Sequence, residues 1–316
     1  MAIRPDPLHI EIQYMLLDKP QLKIGFADYF DPVPEFFTDW LSDSFVVVRD
    51  DYQPDYIIFC DEMFGISNKR FDNQENRPIK IFYTGENRRF WNYTCDYAIT
   101  FDHYQTNRHY RLPLYVIDNW VHVNKMGLPS IIHGSMYKHT VADKKGFCSF
   151  VVANGWCAER NNIFHLLSLY KKVDSGGPLF NNIGYILPRD GVNAQKTKFD
   201  FLKDRKFNIC YENSSYPGYA TEKLFHALYL NTVPIYWGSP TIGEDFNMEG
   251  VVNRHYFSSD KEMIQWIIHL DQNDDLYNQY LEASHEMIIN KYSQVLSRAN
   301  FNRWFRENVY NGDKMN

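Results

Sequence analysis

The sequence predicts an α/β protein of two Rossmann-like domains. Three observations carry that expectation. Short apolar runs alternate with amphipathic stretches, the alternation occurs in two series, and a polar, turn-rich segment separates them. At roughly 150 residues per domain, the 316 residues supply two hydrophobic cores. Hydrophobic residues at 44% and charged residues at 23% lie near the globular average, which excludes wholesale disorder.

In the first series, residues 22–27 (LKIGFA), 45–48, 56–60 (YIIFC) and 79–83 (IKIFY) read as strands. Each is brief, rich in β-branched or aromatic side chains, and bounded by Asp, Pro or Gly. Residues 34–41 (PEFFTDWL) lie between the first two with a helical period. This βαβ rhythm predicts a parallel sheet with helices on its faces. Residues 123–145, containing MGLPS, an HGS turn and ADKK, read as a domain junction.

The second series opens with a strand over 146–152 and a helix over 159–172, whose Ile163, Leu166, Leu167 and Tyr170 share one side. A strand over 207–211, a helix over 221–230 and a strand over 233–236 follow. Residues 261–270, 276–290 and 293–309 read as further helices. The expected division is 1–143, 144–290, and a C-terminal helix over 291–316 that packs back on the first domain. Ligands in such sheets sit beyond the carboxyl ends of the strands, here in a cleft between the domains.

A net charge of −6 without a basic block argues against nucleic-acid binding. Aromatic residues reach 17%, which suits stacking on sugars and bases as well as an aromatic-rich core. The first 13 residues carry charges and no apolar run of a signal peptide, and no stretch approaches the ~20 apolar residues of a spanning helix. Five cysteines, odd in number and without C-x-x-C spacing, read as reduced thiols of a cytoplasmic protein. The sequons at Asn92 and Asn213 are then chance matches. The 11 histidines show neither H-x-x-x-H nor H-E-x-x-H spacing, so single ones such as His226 read as structural. No metal ligand set is expected.

The most informative segment is 207–240, FNICYENSSYPGYATEKLFHALYLNTVPIYWGSP. Physically it is strand, polar loop, helix, strand and turn. The loop from Glu212 leaves the carboxyl end of its strand, Pro217 and Gly218 shape it, and Thr221 is placed to cap the next helix. Glu222 and Lys223 occupy the first helical turn. Unpaired N–H groups, a positive dipole end and a lysine together make an anion site suited to a diphosphate. The Glu222 carboxylate could accept from a ribose or sugar hydroxyl. Taken alone, the same two residues also fit simple dipole compensation and an exposed lysine.

The whole segment is more specific. Tyr211-Glu212-Asn213-Ser214, Tyr219-Ala220-Thr221-Glu222-Lys223 and the V-P-I-Y-W-G-S-P run from Val233 to Pro240 resemble the signature of the α-1,3/4-fucosyltransferases of glycosyltransferase family 10. Tyr211 stands where that family more usually has Phe. Phe82-Tyr83-Thr84-Gly85-Glu86-Asn87, then Cys95 to Ile99, the RHYRLPLY run from Arg108 to Tyr115, and Glu159-Arg160-Asn161 extend the resemblance over about residues 22–255. The soluble bacterial branch fits best, since no anchor or stem is found before the catalytic part.

The resemblance implies a GT-B fold, two Rossmann-like domains facing each other across a cleft, and inverting transfer of L-fucose from GDP-fucose. The implied acceptor is an N-acetylglucosamine hydroxyl of a lactosamine-type glycan, in α-1,3 or α-1,4 linkage. Inversion in one displacement needs a base for the acceptor hydroxyl and positive charge for the departing GDP. Glu86 matches the family position of the base, in the acceptor-side N-terminal domain. Arg160 and Lys223 match the diphosphate-binding positions, and Asn213, Tyr219 and Glu222 match donor-contacting ones. Tyr185, after Gly184, is a candidate for the guanine pocket. Glu212 and Asp28 are the fallback bases. No D-x-D triplet, the metal–diphosphate clamp of the other large glycosyltransferase fold, occurs, so no divalent metal is expected to be essential and GDP-fucose is the donor substrate. Membrane association is expected to be at most peripheral. The alternatives are a GT-B transferase for another nucleotide sugar and a non-catalytic carbohydrate-binding relative.

Overall fold

β1 (Gln21–Ala27) opens a six-stranded sheet with β2 (Val46–Arg49), β3 (Tyr56–Phe59), β4 (Ile79–Tyr83), β5 (Tyr97–Thr100) and β6 (His109–Arg111). The structure is a computed structural model that describes residues 19–61, 64–189, 191–285, 287–290 and 293–313. The N-terminal residues read above for targeting lie outside them. All pairings in this sheet are parallel, in the order β2-β1-β3-β4-β5-β6. Parallel sheets are covered on both faces, which is why β3 reads as a continuous apolar run with every residue buried. Helix α1 (Val33–Leu41) starts with Pro in its first turn and buries Phe36, Phe37, Trp40 and Leu41.

This first unit comprises the chain up to Thr100, then Tyr104–Leu112, then Leu296 onward. The terminal segment is a helix, Arg298–Trp304, that widens into a π-helical stretch, Phe305–Tyr310. Phe301 meets Phe37 and Trp40 with ring centroids 5.8 and 5.5 Å apart. The Arg298 guanidinium lies 2.9 Å from Asp39, and Asn302 donates to the Trp40 carbonyl at 2.7 Å.

The second unit comprises Phe101–His103 and Pro113–Val295. Its boundary therefore lies at Pro113, not at residue 143, and residues 123–145 are part of this unit, not a junction. The cause is local. Helix α2 (Leu114–Asn124) buries Tyr115, Val116, Ile117, Trp120 and His122, and the stretch after it is pinned by Met136 N–H to the Tyr229 carbonyl and by Tyr229 O–H to the Pro129 carbonyl. β7 (Gly146–Phe150), α3 (Ala158–Ser168), β8 (Val173–Ser175), α4 (Val192–Lys203), β9 (Arg205–Tyr211), α5 (Glu222–Tyr229), β10 (Val233–Trp237) and β11 (Val252–Asn253) follow. The helices α6 (Asp260–Gln272) and α7 (Asp274–His285) complete it.

This sheet is also all parallel, in the order β11-β10-β9-β7-β8. Counted within its own unit, each sheet has its second strand outside the first and its third on the first's other side. The order reverses at that point, and the loops leaving the two central strands diverge. In the second unit those loops follow β7 and β9. No described helix is long and apolar enough to cross a membrane, and the five cysteines are free.

Candidate active site

The loop after β9 begins with Glu212, whose side chain is fully buried. Its carboxylate accepts from Thr221 N–H at 2.7 Å, from Thr221 Oγ1 at 2.7 and 2.9 Å, and from Lys223 Nζ at 2.9 Å. Thr221 is the residue before α5, but its hydroxyl does not cap the helix as expected. It donates to Glu212 and accepts from Lys223 at 2.7 Å. Room for Glu212 comes from the next strand. A Cβ on Gly238 would stand 2.6 Å from Glu212 Cγ, so the W-G-S-P turn requires glycine at that place. Gly218 has φ +81°, and a Cβ there would meet the Phe101 carbonyl at 2.4 Å.

The lysine is thereby aimed rather than free. Burial works against the Lys223 ammonium, but Glu212 and Glu222 outweigh it and hold its pKa above the usual lysine value. Glu222 lies 3.9 Å from Lys223 Nζ and 3.8 Å from Lys198 Nζ. Burial would raise its pKa, yet Lys223 and then Lys198 hold it well below the usual carboxylate range.

The loop after β7 leads to Arg160 in the first turn of α3. Arg160 is buried, donating from Nη1 to Asn213 Oδ1 at 2.6 Å and from Nη2 to the Asn154 carbonyl and side chain, each at 3.0 Å. Its Nε–H has no partner. Burial draws the guanidinium pKa below the usual arginine value, and the nearest opposing charges include Glu212, Tyr219 and Glu222. Arg160 in turn opposes the charge of Lys223. The buried Tyr219 packs against Phe101 in a tilted arrangement, with ring centroids 5.2 Å apart.

Five of the expected residues, Arg160, Asn213, Tyr219, Glu222 and Lys223, thus gather at the carboxyl ends of β7 and β9. Tyr185 does not join them. It is 58% exposed on a loop, where its carbonyl accepts from Asn181 at 2.8 Å, and no described hydrogen bond, ion pair or ring contact links it to the cluster. Glu86 lies in the first unit, exposed, just beyond the carboxyl end of β4. Thr84 Oγ1 accepts from its N–H at 3.1 Å, and Arg88 N–H donates to its carbonyl at 2.6 Å. Arg88 is itself tied to Asp61 at 2.8 Å.

Of the fallback bases, Glu212 is engaged by three donors and shielded from solvent, which removes it as a base. Asp28 is committed to Asn68, accepting from its N–H and side chain at 2.7 and 2.6 Å. The residues that sequence reasoning missed are the ones that hold others: Glu212 as partner of Lys223, Asn154 under Arg160, and Lys198 beside Glu222. Only Glu212 carried a signal, since it precedes Asn213 in the same motif.

Two parallel α/β units, with cationic side chains gathered where strand order reverses, define the GT-B class of glycosyltransferase fold. The model of the glycosyltransferase family 10 (fucosyltransferase) C-terminal region matches residues 141–304, and that of the alpha-(1,3)-fucosyltransferase FucT N-terminal domain matches residues 23–118. The chain belongs to glycosyltransferase family 10. It is 36% identical over 261 residues to the alpha-(1,3)-fucosyltransferase FucT of Helicobacter pylori, covering 73% of this chain and 52% of that one. It therefore spans about half the length of that curated relative. A crystal structure of an alpha1,3-fucosyltransferase superposes with a TM-score of 0.72 at 26% identity, covering 92% of this chain and 90% of that chain. The corresponding complex with GDP-fucose gives a TM-score of 0.69 at 25% identity, covering 92% of each.

Proposed function

We propose that the protein transfers L-fucose from GDP-fucose to a hydroxyl of N-acetylglucosamine in a lactosamine-type glycan, forming an α-1,3 linkage with inversion at the fucose carbon. The observation that carries this is that Arg160 and Lys223 both stand at the carboxyl ends of neighbouring strands, the buried guanidinium held by Asn213 and the ammonium by the buried Glu212. The likeness to a fucosyltransferase solved with GDP-fucose supports the choice of donor.

In the reaction, the acceptor oxygen attacks the anomeric carbon while Glu86 takes the acceptor proton. The bond from that carbon to the diphosphate breaks, and the negative charge leaves with GDP. Arg160 and Lys223 meet that charge, the guanidinium as a fork of donors and the ammonium as a point charge. Asn213, Tyr219 and Glu222 position the donor's hydroxyls. Because protein cations supply the positive charge, no divalent metal is required at the diphosphate. Free thiols fit a reducing, cytoplasmic setting, with peripheral membrane contact at most.

The test is transfer from GDP-fucose to a panel of type 1 and type 2 disaccharides, with other GDP- and UDP-sugars in parallel. Product with a type 2 acceptor, linked α-1,3, supports the reading. Turnover of a different nucleotide sugar would replace the donor assignment, and glycan binding without turnover would make the protein a lectin-like relative.

A further inference from the structure

Behind the donor-site helix, three side chains that the transfer reaction does not use converge on one point. Asp118 and His122 stand one turn apart on α2, and His226 comes from α5, one turn after Glu222. The Nε2 atoms of His122 and His226 lie 3.3 and 2.6 Å from the same oxygen, Asp118 Oδ2. The Gln195 amide nitrogen, on α4, lies 3.2 and 2.9 Å from the same two Nε2 atoms. One ligand atom from each of Asp118, His122 and His226 lies within 4.8 Å of the other two.

With the amide nitrogen of Gln195 facing the rings, no assignment of ring protons satisfies all four contacts. A proton on either Nε2 serves Asp118 but faces the amide N–H of Gln195, whereas a lone pair there serves Gln195 but faces the carboxylate. Both histidine Nδ1 atoms are buried without a partner, so no second contact fixes either ring's proton. An amide turned over by half a revolution presents its oxygen instead. With the ring protons on Nδ1, two ring nitrogens and two oxygens then face one another, each with a lone pair.

We propose that Asp118, His122, His226 and the side-chain oxygen of Gln195 bind one divalent cation of the zinc type. Two imidazoles, a carboxylate and an amide oxygen suit a four-coordinate borderline ion. Bonds of about 2.0–2.1 Å set tetrahedral ligand separations near 3.3 Å. The shortest pair must therefore part by less than an ångström. Both histidine side chains are buried, which favours the neutral imidazole, so both rings offer lone pairs. Asp118 and Glu222 supply negative charge nearby, and Lys198 opposes it. The histidines are sealed in, while the Asp118 side chain is 20% exposed and marks the way in. A bound ion would fasten α2, α4 and α5 together. It would lie one helical turn behind Lys223, outside the diphosphate contacts, so this inference stands apart from the donor assignment.

The test uses the full chain without an affinity tag, stripped by a chelator and titrated with Co²⁺. The expected result is one equivalent bound, with the visible d–d absorption of a four-coordinate ion, displacement by Zn²⁺ and a raised unfolding temperature. X-ray absorption of the zinc form should show two imidazoles and no sulfur. His122→Gln and His226→Gln should each weaken binding by at least about tenfold, the loss that even an outer-shell change produces. Absence of stoichiometric uptake, sulfur ligation, or unchanged affinity in folded variants would overturn the proposal. Should both variants fail to fold, the wild-type absorption spectrum decides alone.

Discussion

Glu212 Oε2 and Lys223 Nζ lie 2.9 Å apart, with the Thr221 hydroxyl in contact with both. The carboxylate is fully buried and the ammonium side chain is 20% exposed, so one partner is sealed and the other reaches the loop edge. This pair converts a flexible lysine into a directed charge. Its ordering is complete before any anion arrives.

Glu212→Gln should therefore lower stability and donor affinity together. Breaking a buried ion pair from one side costs about 3–5 kcal/mol, because the remaining charge is left uncompensated. Denaturant unfolding measures the first effect and calorimetry with GDP the second. A folded variant with unchanged GDP affinity would show that Lys223 needs no guide.

On the proposed donor assignment, Lys223→Ala and Arg160→Ala each remove a charge-assisted contact to the diphosphate. Such contacts are worth about 1.5–3 kcal/mol, or roughly 10- to 100-fold in affinity. Lys223→Ala also leaves the fully buried Glu212 carboxylate without its counter-charge, so it should lower the unfolding temperature more than Arg160→Ala, whose partners Asn213 and Asn154 are neutral and exposed. Titration calorimetry with GDP and a thermal melt of each variant check both statements.

Glu86→Gln should reduce turnover by about 10²- to 10⁴-fold while GDP-fucose affinity stays near wild type, since a base acts only in the transition state. Glutamine keeps the shape of the side chain and the backbone contacts to Thr84 and Arg88. Retention of more than about a tenth of wild-type turnover, far outside that range, would move the base elsewhere. Steady-state kinetics paired with donor calorimetry separates the two effects.

Chelation by EDTA, assayed well below the unfolding temperature, should leave substantial transfer activity. On the proposed assignment, Arg160 and Lys223 supply the positive charge that an ion would otherwise bring to the diphosphate. Complete loss restored by Mn²⁺ would place a metal in the reaction.

Acid should act through Glu222. Its folded pKa is depressed by Lys223 and Lys198, so its contribution is present above the unfolded value of about 4.3 and is lost as pH falls through the folded value. Glu222→Gln should flatten the fall in stability below about pH 4.3. Parallel wild-type and variant curves in that interval would mean the carboxylate gains nothing from its lysines.

The sequence displayed most strands because an apolar run bounded by Asp, Pro or Gly has few other uses. Residues 56–60 and 79–83 were legible in this way, and β3 and β4 fall within them. β8 (VDS) is too short and polar to announce itself, and α4 (VNAQKTKFDFLK) buries only Ala194, Phe199, Phe201 and Leu202. The cationic residues of the site were legible as a motif. Their supports were not, because Asn154 and Lys198 reach them through tertiary contacts that leave no spacing. His226 read as a solitary histidine for the same reason: its companions come from another helix, as the D-x-x-x-H of Asp118 and His122.

The terminal segment sets the order in which the chain can mature on the ribosome. Trp40, Phe37 and Asp39 emerge early, yet the Phe301, Asn302 and Arg298 that cover or bind them are synthesised after the whole second unit. The second unit holds nearly all its residues in one continuous stretch and can fold as it emerges. The first must wait, its aromatic face open, until the whole second unit has been made. Chaperone demand during synthesis should therefore fall on the N-terminal half, although that half is made first.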